Sequence, residues 1–235
     1  MEVKEAKAIV TGAAAGIGRA VAELLAELGA AVVVADVDDE AGHRTAAHIG
    51  ATFVHADMTS DEDVSRLFDE AERRLGGIEV FVNNAGGVDD PHYPLAPVAQ
   101  WSAVLDLNLR SVLLATQLAL ERIEAGVVVA ISSVAALGNE PHAAPEYAAA
   151  KAAVVRLVTA LPARDDVRLV CVCPDSTRTP AMERTLASKP PGFDPGRMLE
   201  PRDVAETVVD LIRDDEARGR VLCVRAGEPV QTISN

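Results

Sequence analysis

The chain has 235 residues, 49% hydrophobic but only 3% aromatic, so its core must be built from Ala, Val, Leu and Ile. A formal net charge of −14 repels nucleic acid and anionic membrane and excludes both as expected partners. The length suits one large domain, 1–235, and is short for two. The opening Met1-Glu2-Val3-Lys4-Glu5 is charged and unlike a signal peptide, and nothing approaches a transmembrane length, so a soluble cytoplasmic protein is expected. Cys171, Cys173 and Cys223 are odd in number and sit in apolar runs, which predicts small core residues in a reducing compartment. Cys171-x-Cys173 has no His or further Cys at ligand spacing, so no metal is expected.

In chain order, the apolar run 8–10 predicts a first strand, followed by Thr11-Gly12-Ala13-Ala14-Ala15-Gly16-Ile17-Gly18 and a helical pattern over 20–28. A strand that turns on glycines into a helix leaves N–H groups pointing outward at the positive end of the macrodipole, a seat for a pyrophosphate. The β-branched run 31–35 predicts a second strand ending on Asp36, 18 residues beyond Gly18, where a carboxylate can accept hydrogen bonds from an adenine-ribose diol. The alternation continues with helix 39–48, strand 52–56 ending at Asp57-Met58, helix 61–75 capped by Thr59 or Ser60, and strand 78–82 running into Asn83-Asn84-Ala85-Gly86. A proline-broken loop, 88–98, leads to a long helix over 99–122 with Asn108 near its middle. Strand 127–131 ends at Ser132-Ser133, and loop 134–145 precedes helix 146–161, broken by Pro162. Strand 167–173 ends at Pro174, segment 174–200 shows no regular pattern, and helix 202–214 and strand 220–225 close the chain.

Seven strands alternating with helices predict a parallel, doubly wound α/β sheet of the Rossmann type. Gly12, Asp36, Asp57, Asn84, Ser133 and Pro174 each fall just past the carboxyl end of a strand, which is the ligand-binding edge of such a sheet. Tyr147 and Lys151 are four apart on one helix face. An ammonium beside a phenol favours the phenolate, so the tyrosine pKa is expected to fall from about 10 toward neutrality and make it a general acid/base.

Taken together, these motifs resemble the short-chain dehydrogenase/reductase family over essentially the whole chain. The family's T-G-x-x-x-G-I-G is met by Thr11 to Gly18, its N-N-A-G by Asn83 to Gly86, its helix asparagine by Asn108, its serine by Ser133 and its Y-x-x-x-K by Tyr147 and Lys151. The resemblance implies an NAD(P)-dependent oxidoreductase in which Tyr147 exchanges a proton with a secondary alcohol or ketone and Ser133 positions that oxygen. Lys151 would hold the nicotinamide ribose, and Asn108 would anchor a water in the proton relay. Ser132 is the rival for the serine role. Cofactor contacts are expected from Gly12, Ala15, Gly16, Ile17, Gly18, Asp36, Asp57, Met58, Asn84, Ala85, Gly86, Tyr147, Lys151, Pro174, Thr177 and Thr179. Asp36 would face a 2′-phosphate at close range with Ala15, Val37, Asp38 and Asp39 offering no cation, so NAD is expected over NADP.

The run Pro174-Asp175-Ser176-Thr177-Arg178-Thr179 departs from the family's Pro-Gly turn, and Arg225-Ala226-Gly227 from its usual glycine pair. A cofactor-binding sensor of the same fold is therefore the alternative to an enzyme. A serine hydrolase is disfavoured by the lack of a G-x-S-x-G elbow. Helices 99–122 and 146–161 are apolar on more faces than one sheet contact covers, which predicts a homodimer or homotetramer.

Overall fold

Eight strands form one sheet in the order β3-β2-β1-β4-β5-β6-β7-β8, in a computed structural model that describes residues 1–138, 140–161, 166–190 and 194–233. They are β1 Lys7–Thr11, β2 Ala31–Asp36, β3 Thr52–His55, β4 Val80–Asn83, β5 Gly126–Ile131, β6 Val167–Pro174, β7 Val221–Val224 and β8 Gln231–Thr232. The first seven are parallel, with Val10 opposite Val34 and Val82 opposite Val129. The expected doubly wound sheet thus carries one strand more than the seven expected. β8 pairs antiparallel to β7, and its two residues are too few to show a period-2 pattern in the sequence.

Flanking the sheet are α1 Gly16–Glu27, α2 Asp39–Ile49, α3 Asp61–Leu75, α4 Val98–Leu105, α5 Ser111–Arg122, α6 Pro145–Ala160, α7 Pro180–Ala187 and α8 Pro201–Arg213. Successive strand residues point to opposite faces, so Val10, Val34, Val82 and Val129 meet Val21, Leu25, Val208 and Ile212 of α1 and α8. Ile9, Val33, Phe81 and Val128 meet Leu67, Phe68, Val112 and Val154 of α3, α5 and α6 on the other side. Burial on both faces explains why the strands read as unbroken Val/Ile runs.

Several boundaries differ from the sequence reading for local reasons. α6, α7 and α8 each begin on proline, whose fixed φ suits the first helical position, so α6 and α8 start one residue before the expected 146 and 202. α7 lies inside 174–200, where its two turns of pattern are hidden among prolines. Pro162 lies outside the described residues, and α6 ends at Ala160. The expected helix 99–122 is interrupted by a π-turn, Asp106–Arg110, between α4 and α5. The whole run Val98–Arg122 is, by length and apolarity, long enough to cross a membrane, which corrects the expectation that no such segment exists. Part of it is used within the fold, where α4 and the π-turn pack on α6 and α5 packs on α3, β4 and β5, while Val98 and Leu113 stay exposed.

Candidate active site

The strand order reverses between β1 and β4, and the two strand ends are laced together there. Asn84 Nδ2 donates to the carbonyls of Thr11 at 2.8 Å and Gly12 at 3.2 Å, while the Asn84 and Ala85 amides donate to Thr11 Oγ1 at 3.0 and 3.1 Å. The turn allows no side chains at its close approaches: Gly12 has φ +63°, and a Cβ on Gly18 would lie 2.2 Å from the Gly12 carbonyl oxygen. Ala15, the N-cap of α1, offers no side-chain cap, whereas Asp38 caps α2 and Ser60 caps α3. First-turn N–H groups left without a capping side chain are the donors an anion would take. Ile17 packs its side chain toward the core, so only its backbone is offered to this turn.

Asp36 ends β2 beside that turn. Its Oδ2 accepts the Ala14 amide at 2.9 Å and its Oδ1 the Asp38 amide at 3.0 Å, fixing the carboxylate with one lone pair on each oxygen still available. Asp57 is placed differently: Oδ1 accepts both the amide and hydroxyl of Thr59, so its carboxylate shapes the entry to α3, and Met58 is buried.

The helix asparagine sits on the π-turn, and Asn108 is fully buried. Its Nδ2 donates to the carbonyls of Gly87 at 2.7 Å and Val104 at 2.9 Å, and its Oδ1 accepts the Gly87 amide at 3.0 Å. Both amide hydrogens are therefore committed, and only the second lone pair of Oδ1 remains for a relay water. A Cβ on Gly86 would lie 2.7 Å from Asn108 Oδ1 and 3.1 Å from Lys151 Nζ, so the absence of a side chain there brings these two groups together.

The two serines separate cleanly. Ser132 is buried and donates to the Lys151 carbonyl at 2.8 Å, bracing α6 from within. Ser133 is half-buried and its hydroxyl acts on the Tyr147 phenol, pulling its pKa down, so of the two it is Ser133 that faces the tyrosine. Lys151 is buried, its Nζ donates to the Ile131 carbonyl at 3.0 Å, and it lies 5.6 Å from the Tyr147 ring centroid. Burial lowers its pKa from 10.5 to about 8.

The expected fall of the Tyr147 pKa is corrected here. Burial raises it above 10, with the Ser133 hydroxyl pulling the other way and the ammonium 5.6 Å from the ring centroid. Sequence spacing placed the two side chains together but carried no information on how much solvent the phenol loses.

The turn after β6 closes against the glycine turn. Thr179 caps α7 through Oγ1, and its Cγ2 is 3.0 Å from where a Cβ on Gly16 would stand. Thr177 is buried and donates to the Asp175 carbonyl at 2.8 Å, and Pro174 is the last residue of β6. Asp175, in the place of the expected glycine, accepts the Ser176 amide at 2.7 Å and lies 3.9 Å from Arg225. Three residues beside the site were not among those expected: His142, whose ring centroid is 6.3 Å from that of Tyr147, and the pair His92 and Glu146. Nothing local marks them: His92 and His142 lie on loops without a periodic pattern, and Glu146 reads as an ordinary first-turn acid of α6.

The family model described as short chain dehydrogenase matches residues 6–190. A cis-4-hydroxycyclohexanecarboxylate dehydrogenase from Sinomonas cyclohexanicum is 35% identical over 95% of this chain and 96% of its own length. Among solved structures, a ribose-5-phosphate isomerase from Brucella melitensis 16M is 34% identical, with a TM-score of 0.86 over 96% of this chain and 93% of that one. A 3-ketoacyl-(acyl-carrier-protein) reductase from Brucella melitensis, complexed with NADH, is 28% identical, with a TM-score of 0.85 over 96% and 98%.

Proposed function

The chain belongs to the short-chain dehydrogenase family, and from that premise we propose that it is an NAD(H)-dependent oxidoreductase moving hydride between nicotinamide and a secondary alcohol or ketone. The observation that carries this reading is one edge of the sheet on which Ser133, Tyr147, Lys151 and Asn108 stand beside an uncapped glycine turn and a carboxylate at the end of β2. The residues fit a dinucleotide: the backbone of Gly12 to Gly18 receives the pyrophosphate, Asp36 the adenosine ribose diol, and Asn84 to Gly86 with Pro174, Thr177 and Thr179 flank the nicotinamide half. That cofactor supplies or accepts the hydride when bound.

The chain's own part is to hold oxygen and move a proton. Ser133 donates to the substrate oxygen, and Tyr147, kept protonated by its burial, delivers its phenolic proton to that oxygen as a ketone is reduced. Lys151 has two ammonium protons beyond the one used by Ile131, enough for a ribose hydroxyl and the proton path behind the phenol. The isomerase named for one solved structure needs no dinucleotide seat, and the capless α1 with Asp36 supports hydride transfer instead. The net charge of −14 supports a protein without nucleic-acid or anionic-membrane partners. Exposed Leu113 on α5 and Leu161 after α6 support a homodimer or homotetramer.

A scan of secondary alcohols with NAD, followed by nicotinamide absorbance, tests the reading with wild type and Tyr147→Phe side by side. Turnover of at least one alcohol by wild type, lost in the variant, is expected. Equal turnover by both would contradict the role of Tyr147.

A further inference from the structure

Glu146, one residue before Tyr147, is a carboxylate whose side chain is only 4% exposed. Among the described residues its one ion-pair partner is His92, whose Nδ1 stands 3.2 Å from Glu146 Oε1. The Tyr93 amide donates to Glu146 Oε2 at 3.3 Å, and His92 Nε2 reaches Asp90 Oδ1 at 2.9 Å. A carboxylate is seldom buried without such partners, because leaving water costs it several kcal/mol when unpaired. The turn is further closed by the Leu95 and Ala96 amides, which both donate to the His92 carbonyl at 2.9 Å.

The loop that follows β4 is therefore tied at two points, Gly87 to Asn108 of the π-turn and His92 with Tyr93 to Glu146 of α6. At Gly86 the backbone runs against Lys151 Nζ and Asn108, and at His92 and Tyr93 it returns to Glu146. Lys151 and Glu146 stand on either side of Tyr147 in the sequence of α6, and the stretch 86–93 runs from beside Lys151 Nζ to Glu146. Resting on the hydride-transfer reading above, we propose that Glu146 is a positioning residue: by gripping His92 and the Tyr93 amide it fixes residues 87–93 as the wall of the alcohol pocket beside Tyr147. Its side-chain partners, His92 and the Tyr93 amide, are not among the residues assigned to the cofactor, so its effect falls on the alcohol or ketone.

The test is the exchange rate of the Tyr93 amide, read by NMR in the full chain, for wild type, Glu146→Ala, Glu146→Gln and His92→Ala, with thermal melting and an NADH titration of each. Glu146→Ala is expected to speed Tyr93 exchange about tenfold or more, the loss of a hydrogen bond to a charged acceptor. Glu146→Gln keeps an accepting oxygen at the same reach and is expected to restore the rate to within about threefold of wild type. Adding His92→Ala to Glu146→Ala should change little further, since both act through one contact. NADH affinity is expected to stay within about threefold throughout, and for the best alcohol of the scan Glu146→Ala should raise KM with kcat nearly kept.

Unchanged Tyr93 exchange in Glu146→Ala overturns the proposal, as does NADH affinity that falls in step with the exchange rate. Should Glu146→Ala fail to fold, His92→Ala carries the test, and an unchanged Tyr93 rate in that variant overturns it. A wild type that binds no NADH would sink the hydride-transfer reading and leave the exchange result standing on its own.

Discussion

Two buried cations at opposite ends of the sheet show how similar groups are put to different uses. Arg168, at the amino end of β6, donates to the carbonyls of Leu211, Ile212 and Asp214 at 2.8 to 2.9 Å and lies 3.5 Å from Asp215. It closes the end of α8, where a cation also meets the negative pole of the helix. Lys151, toward the carboxyl edge, has a single described partner, the Ile131 carbonyl. The amino edge consumes its polar groups in one another, as the Lys7 amide does with Glu79, whereas the carboxyl edge leaves donors over. A buried cation with most of its donors to spare marks a site, and one with most of them taken marks a joint.

Removing the proton donor attacks the carboxyl edge most severely. Tyr147→Phe is expected to lower turnover by about 10²- to 10⁴-fold, the usual worth of a general acid. NADH affinity, measured by fluorescence titration, should stay within about threefold, because the phosphate seat is built elsewhere.

Stability separates the two cations in opposite directions. Arg168→Met strips partners from three carbonyls at the end of α8 and should destabilise the fold by about 3 kcal/mol in urea unfolding. Lys151→Met removes a charge that burial disfavours. Because its pKa falls from 10.5 unfolded to about 8 folded, the charge costs the native state on the order of 3 kcal/mol below pH 8, and that cost fades as pH rises to about 10.5. The variant should therefore be more stable than wild type without cofactor at neutral pH, with the gap narrowing between about pH 8 and 10.5. A gap independent of pH in urea melts would mean that Lys151 is not charged and buried.

Asp36 sharpens the comparison at smaller scale. Wild type is expected to prefer NADH to NADPH by more than about tenfold, since a carboxylate at close range repels a 2′-phosphate even in partly solvated surroundings. Asp36→Ala should bring the two affinities within about threefold of each other in parallel titrations. A wild type that binds both equally would remove Asp36 from the ribose. The smallest effect expected is on assembly: Leu113→Asp should shift sedimentation from dimer or tetramer toward monomer while leaving the melting temperature nearly unchanged.

The features legible in the sequence are those whose chemistry is local. The glycine turn, Asp36 and the Tyr147–Lys151 spacing each state within a few residues what the backbone must do, and the structure sets them on one edge. Asn108 was legible as a residue but not as a π-turn, because one extra residue in a turn leaves the apolar pattern of 98–122 intact. The raised Tyr147 pKa depends on burial by distant elements, and the Glu146–His92 contact joins residues 54 apart, so neither has a local signature. Arg168 reads as a charge interrupting a strand, and only the packing of α8 gives it a purpose.

The contrast between the two cations can be decided by one NADH titration on wild type, Lys151→Met and Arg168→Met, each well below its melting temperature. Binding by wild type and Arg168→Met within about threefold of each other, with a loss of about tenfold or more in Lys151→Met, is the predicted result. Equal affinities in all three, or equal losses in both variants, would contradict the assignment of the carboxyl edge as the cofactor and reaction site.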